Sequence, residues 1–184
     1  MSTAPGLTAT LHDLTPGTWT VDPSHTEVGF VARHLMVSKV RGQFTDLAGT
    51  VTVTDDIAHS RVDVTVQMAS VSTGSADRDA HVKGGDFFDV ETYPTMTFTS
   101  SAFDGTKLTG DLTIKGVTKP VTFDVEFNGV ATDPWGQTKA GFEAQATVNR
   151  KDWGLEWNVA LEGGGVLVSE KVTLVLDVQL LKAA

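Results

Sequence analysis

Val121-Thr122-Phe123-Asp124-Val125-Glu126-Phe127-Asn128 decides the fold, because every second residue is apolar and every residue between is polar. A strand points successive side chains to opposite faces, so this octet offers one face to a core and one to water. Val62, Val64, Val66 and Met68 repeat the pattern against Arg61, Asp63, Thr65 and Gln67. So do Val172, Leu174, Leu176, Val178 and Leu180 against Lys171, Thr173, Asp177 and Gln179. One apolar and one wet face is the pattern of antiparallel sheets. Weaker versions occupy residues 28–31, 51–53, 95–103, 108–114 and 142–148.

Turn chemistry separates these runs. Asp22-Pro23, Asp55-Asp56, Asp104-Gly105, Lys115-Gly116, Asp133-Pro134 and Gly163-Gly164-Gly165 all fall between apolar segments, as turns do. The spacing predicts an all-β fold, an extended antiparallel β-barrel of about eight strands. One short helix is expected near residues 75–84, with Ser75 as its cap and Gly84 at its end. The apolar run continues from residue 117 to 128, which is long for a sandwich strand. At about 3.3 Å per residue it spans roughly 40 Å; tilted by about 40°, it gives a barrel roughly 30 Å tall. A barrel of eight strands either fills with side chains or encloses one slim ligand. The alternation leaves both open. The polar exterior excludes a membrane barrel, whose pattern is inverted. No internal repeat or linker appears, so residues 17–184 read as a single domain and residues 1–16 as a flexible N-terminal arm.

Composition narrows the function. The chain has 184 residues, 40% hydrophobic and 20% charged, with a net charge of -9, a globular balance. The negative charge argues against sequence-independent nucleic-acid binding and against adhesion to anionic membrane surfaces. With no cysteine, disulfides and thiolate metal sites are excluded. The first Lys or Arg is Arg33, and no apolar core of a secretory leader precedes it. If the N-terminus is complete, a cytoplasmic protein is expected. No stretch approaches the length of a membrane span.

Three segments carry unusual clusters. The first is Trp19-Thr20-Val21-Asp22-Pro23-Ser24-His25, running through Phe30 and His34 to Gly42-Gln43-Phe44. The second is Arg78-Asp79-Ala80-His81 with Asp86-Phe87-Phe88-Asp89 and Tyr93-Pro94-Thr95-Met96-Thr97-Phe98. The third runs from Gly110 through Lys115-Gly116-Val117-Thr118-Lys119-Pro120 to Val121. With Asn149-Arg150-Lys151-Asp152-Trp153-Gly154 and Val168-Ser169, these resemble the YceI family of bacterial polyisoprenoid-binding proteins. Thr26 departs from the Ser common there. The resemblance implies a lipocalin-like barrel that binds, sequesters or transports a long amphipathic isoprenoid, such as a quinone tail or a polyprenyl phosphate. It implies no catalysis, and no cofactor other than the bound lipid.

The strand faces nominate Phe30, Phe44, Met96, Phe98, Phe123 and Phe142 to line the tail. His25, His34, His81 and Arg150 are candidates for the head group. Three imidazoles converging on one ion would make a metal site, but the spacing of His25 and His34 does not require it, and no metal is expected. Asp86 and Asp89 read as local caps around Phe87-Phe88, an aromatic pair expected to plug the barrel. Arg150, Asp152 and Trp153 could form a buried ion pair beside an aromatic, or a grip for phosphate. Lys115-Gly116 reads as a hairpin turn and Gly163–Gly165 as a flexible one. The alternative function is an enzyme working on a small isoprenoid-like or polyketide-like substrate in the same pocket, with a His as acid or base. Homodimerisation would follow from an exposed sheet edge or a flat apolar patch.

Overall fold

The computed structural model describes residues 10–161 and 167–183. Its strands are β1 (Gly17–Val21), β2 (Glu27–His34), β3 (Ser38–Phe44), β4 (Leu47–Val53), β5 (Arg61–Gln67), β6 (Val71–Ser72), β7 (Thr95–Phe103), β8 (Lys107–Ile114), β9 (Val117–Thr132), β10 (Thr138–Asn149) and β11 (Lys171–Lys182), with helix α1 (Ala76–Lys83) between β6 and β7. These elements amount to eight strands, because the first three are each broken once. β2 pairs with β3 where β1 pairs with β4. β3 pairs with β6 where β4 pairs with β5. The sheet then runs β5, β7, β8, β9, β10, β11. β11 closes it by pairing with β2 through Thr173–Asp177 and with β1 through Leu180–Lys182. Every pairing is antiparallel, giving an up-and-down barrel that β11 closes on β1 and β2, while β3 meets β6 only at Gln43 and Phe44.

The first break shows how a closed ladder tolerates interruption. Asp22-Pro23 ends β1, since proline has no amide to donate, and Pro23–His25 form a 3-10 turn capped by Asp22, which accepts from Ser24 N at 3.0 Å. On β11, Gln179 would lose its partners. Instead its carbonyl accepts from Asp22 N at 2.8 Å and its amide donates to Thr26 Oγ1 at 3.1 Å. The hydroxyl of Thr26 therefore does the work of a ladder carbonyl. A serine would supply the same atom.

The barrel has two unlike ends. At one end lie the start of β1 and the β4–β5, β7–β8 and β9–β10 turns. At the other lie the β2–β3 hairpin, the segment 73–94 carrying α1, the β8–β9 hairpin and the connection from β10 to β11. Residues 10–16 do not behave as a loose arm: Leu14 is 5% exposed within the core, and Trp19 Nε1 donates to Thr15 O at 3.0 Å. They close the first end. β9 is longer than its apolar run, at 16 residues, because alternation gives way after Asn128 to Gly129-Val130-Ala131-Thr132, which still pairs with β10. The helix appears where expected, with Ser75 Oγ accepting from Arg78 N. Gly163–Gly165 lie outside the described residues.

Candidate functional site

Inward side chains of the eight strands leave a cavity of about 410 Å3, within the range of small-molecule sites. It runs from Leu14, Ile57 and Phe103 at the closed end to His34, Arg78, His81 and Trp157 at the other. The barrel is hollow, not filled, and its wall is overwhelmingly Val, Leu and Phe. Along β5 the lining residues are Val62, Val64 and Val66; along β11 they are Val172, Leu174, Leu176, Val178 and Leu180.

All six side chains nominated for a tail, Phe30, Phe44, Met96, Phe98, Phe123 and Phe142, line this tube. Phe98 meets Phe123 edge-on at 5.4 Å, and Phe30 lies 5.9 Å from Phe44. Two glycines seat these rings. A Cβ on Gly42 would stand 2.2 Å from Phe30 Cζ, and one on Gly110 would stand 2.5 Å from Phe98 Cζ. The absent side chains let each ring lie flat on the neighbouring strand and keep the lumen open. Phe88 packs near both Phe30 and Phe44, at 6.4 and 6.0 Å, and lines the cavity with them. Phe87 turns instead to the rim.

The head-group candidates separate. His34, His81 and Arg150 reach the lining at the open end. His25 does not. It sits at the first strand break, with Nδ1 2.9 Å from Asp22 Oδ2 and a side chain 59% exposed. Asp22, buried there, also accepts from Ser24 Oγ at 2.7 Å and Gln179 Nε2 at 3.2 Å. The Ser24 hydroxyl is the largest influence, with the His25 contact and the Ser24 amide adding to it against burial, and together they bring the Asp22 carboxyl down to about 2. His25 belongs to this structural knot.

Arg150 begins a 3-10 turn, Arg150–Trp153, capped by Asn149 and ended by Gly154 at φ 75. Its guanidinium is buried and donates to the carbonyls of Ser169, Leu155 and Val168 at 2.9, 2.6 and 3.4 Å. Burial pulls its pKa down, against a smaller opposing pull from Glu170. Asp152 is exposed, and no carboxylate among the described residues forms an ion pair with Arg150. The expected pairing with Asp152 is therefore absent: the guanidinium points inward to main-chain carbonyls while Asp152 points to water. Trp153, 2% exposed, donates from Nε1 to Leu112 O at 2.9 Å.

His81 is on α1, edge-on to Trp157 at 4.6 Å and near Phe87 at 5.1 Å. Its Nε2 lies 3.0 Å from Asp86 Oδ2, so Asp86 serves the histidine instead of capping Phe87. Arg78, one turn earlier on the same helix face, also lines the mouth; it donates to the Thr73 hydroxyl and carbonyl at 2.9 and 2.7 Å. Sequence reasoning missed Arg78 as a site residue, though its i, i+3 spacing to His81 announces a shared face. Trp157 had no such signal. Among the described residues no three His, Asp or Glu gather as a metal site, and no helix is long and apolar enough to cross a membrane.

A small closed barrel with an apolar lumen and polar groups at one mouth defines the class of proteins that enclose a hydrophobic molecule. Within that class, the YceI-like domain model matches residues 19–180. The chain belongs to the YceI family. It is 40% identical over 157 residues to a UPF0312 protein of Staphylococcus aureus, covering 84% of this chain and 91% of that one. Campylobacter jejuni YceI superposes with a TM-score of 0.68 at 32% identity, covering 83% and 90% of the two chains. Burkholderia cenocepacia BcnA gives 0.70 at 26%, covering 86% and 98%. A polyisoprenoid binding domain from Saccharophagus degradans, 14% identical, shares the fold at a TM-score of 0.68 over 90% and 98%.

Proposed function

We propose that this chain is a carrier that takes one long isoprenoid into the tube, tail first, and holds it away from water without altering it. The observation that supports this is the cavity itself: an apolar lumen of about 410 Å3 whose charged and imidazole lining residues all lie at one end. Each buried CH2 contributes about 0.8 kcal/mol, so a long tail approaches the practical affinity ceiling of about −18 to −21 kcal/mol without specific contacts, ordering costs aside. Phe30, Phe44, Met96, Phe98, Phe123 and Phe142 would then contact the tail. His34, His81 and Arg150, joined by Arg78, would face the head. Guanidinium groups match phosphate better than a neutral quinone ring, so the reading favours a polyprenyl phosphate. The neighbour from Saccharophagus that shares the fold is described as polyisoprenoid binding, with no head group specified.

The test is organic extraction of the purified protein with mass spectrometry of the extract. One polyprenyl species near one per chain is expected, and polyprenyl phosphate should outcompete the matching alcohol. Folded protein that yields nothing and takes up neither polyprenyl phosphate nor quinone would end the reading. His81 against Asp86 gives the catalytic alternative its footing, since a carboxylate-held imidazole can move protons. Incubation with the bound lipid separates the two: unchanged lipid supports the carrier, and a converted product supports the enzyme.

A further inference from the structure

We propose that the hairpin joining β2 to β3 is a membrane-docking tip that seats the mouth of the barrel on an anionic lipid surface. Its tip residues Leu35, Met36 and Val37 are 41, 54 and 79% exposed. Leu35 N donates to Leu167 O and Leu167 N to Val159 O, both at 2.9 Å, which brings in Val159, itself 46% exposed. Four of the six exposed large hydrophobic residues described thus form one patch at the open end.

The backbone argues that this patch is not an accident of turn formation. Leu35 and Met36 both have positive φ, 54 and 62, and Val37 N donates back to His34 O at 3.2 Å. A turn with two positive φ values is the one that Asn-Gly makes readily and that branched or bulky side chains resist. Here large apolar side chains occupy both strained positions and are then left in water. Strain retained at an exposed site points to a function there.

Charge names the partner. Arg33 and Lys39 are cross-strand neighbours, and Arg41 pairs with Val31 two positions along the same outer face. Lys171 opens β11, which pairs with β2 on the other side. None of these four is in an ion pair among the described residues, whereas nearby Lys151 is held by Glu170 at 2.9 Å. A chain of net charge -9 therefore places four of its 14 Lys and Arg together beside its apolar tip. Charges are screened beyond about 8–10 Å at physiological salt, so a membrane touching the tip meets this cluster and not the net charge. The net negative charge of the whole chain therefore does not govern contact at this end. Apolar insertion combined with nearby basic residues is how proteins dock at a lipid interface. His34, next to the tip, also lines the cavity, so docking would bring the mouth to the bilayer.

The docking itself is independent of the carrier reading; only its purpose rests on it. The full chain is floated with vesicles of phosphatidylcholine, alone or mixed with phosphatidylglycerol, with no isoprenoid present. Binding to the mixed vesicles that weakens with salt is expected. The double variant L35N/M36G, which gives the turn its preferred residues, should melt at the same or higher temperature and lose tenfold or more of its vesicle affinity, about tenfold being 1.4 kcal/mol. Lys39→Gln and Arg41→Gln should each cost about fivefold. Wild type that ignores anionic vesicles, or L35N/M36G that binds them equally, overturns the proposal. So does a wild-type dimer that L35N/M36G converts to monomer while neither binds vesicles, which would make the tip a contact between two copies of this chain. Uptake of polyprenyl phosphate from detergent micelles is measured in parallel. Uptake without vesicle binding removes docking alone, and vesicle binding without uptake removes the carrier reading alone.

Discussion

The two ends of the barrel are built on different rules. At the closed end the turns are short and each is tied by an aspartate. Asp104 Oδ1 accepts from the amides of Thr106 and Lys107 at 2.9 and 2.6 Å, and Asp133 Oδ1 from those of Trp135 and Gln137, both at 2.9 Å. Asp56 Oδ1 accepts from Ala58 N at 3.1 Å. The Thr106 amide leads in holding the Asp104 carboxyl below its usual range, and the Gln137 amide does the same for Asp133. At the open end two short hairpins sit beside two long connections, the segment 73–94 and the chain from β10 to β11, and these long ones bond through Arg78 and Arg150 to main-chain carbonyls. One end is sealed by local hydrogen bonding. The other is assembled from distant segments around an opening, the usual arrangement when loops on a rigid scaffold carry function.

If the contrast is right, changes in the tube and at the two ends have separable effects. The largest is expected from Phe123→Asp, which puts a carboxylate into the apolar lumen. An unpaired buried charge costs several kcal/mol, and uptake of any isoprenoid should be lost; a folded variant with unchanged lipid content would remove Phe123 from the tail contacts. Next comes Leu14→Ala at the closed end. Removing a buried leucine costs about 2–5 kcal/mol, read by urea unfolding, while uptake should persist because loading occurs at the other end. Uptake lost from a folded Leu14→Ala protein would reverse the assignment of the ends. Gly42→Ala is smaller, about 1–3 kcal/mol for overpacking. The new methyl must push the Phe30 ring, 2.2 Å from its position, toward the lumen. The variant should then favour shorter tails in competition, and an unchanged length preference would show that Phe30 yields elsewhere.

The closed tube was far more legible in the sequence than the mouth, for a physical reason. Strand alternation states which side chains face inward, so the six aromatic and Met candidates follow from the sequence alone. Those positions depend only on residues two apart. The breaks were harder to see: β1 and β3 are short, and in β3 Lys39, Arg41 and Gln43 alternate with Gly42, whose inward role is to make room for Phe30. At the mouth, meaning comes from segments far apart in the chain. Arg150 meets Leu155, Val168 and Ser169, and His81 meets Trp157, contacts that no periodicity encodes. His25 and His34 looked alike as residues nine apart, yet one faces outward at a strand break and the other lines the opening.

The smallest effect expected is at the wall between the ends, where acid should loosen the first strand break. Asp22 has its pKa lowered from 3.8 to about 2 in the folded chain, chiefly through the Ser24 hydroxyl. A carboxyl depressed on folding contributes stability that is complete above its unfolded pKa and disappears as pH falls through the folded one. For Asp22 that window runs from about pH 4 down to about pH 2. Discounted for solvent screening, the contribution is about 1–2 kcal/mol at neutral pH. Asp22→Asn keeps an oxygen for the Ser24 amide but loses the charge. Wild type should therefore melt above the variant at neutral pH, with the gap closing between pH 4 and pH 2. A gap that holds constant through that range would mean that Asp22 acts by shape alone. The β1–β11 and β2–β11 ladders would then hold the break without help from its charge.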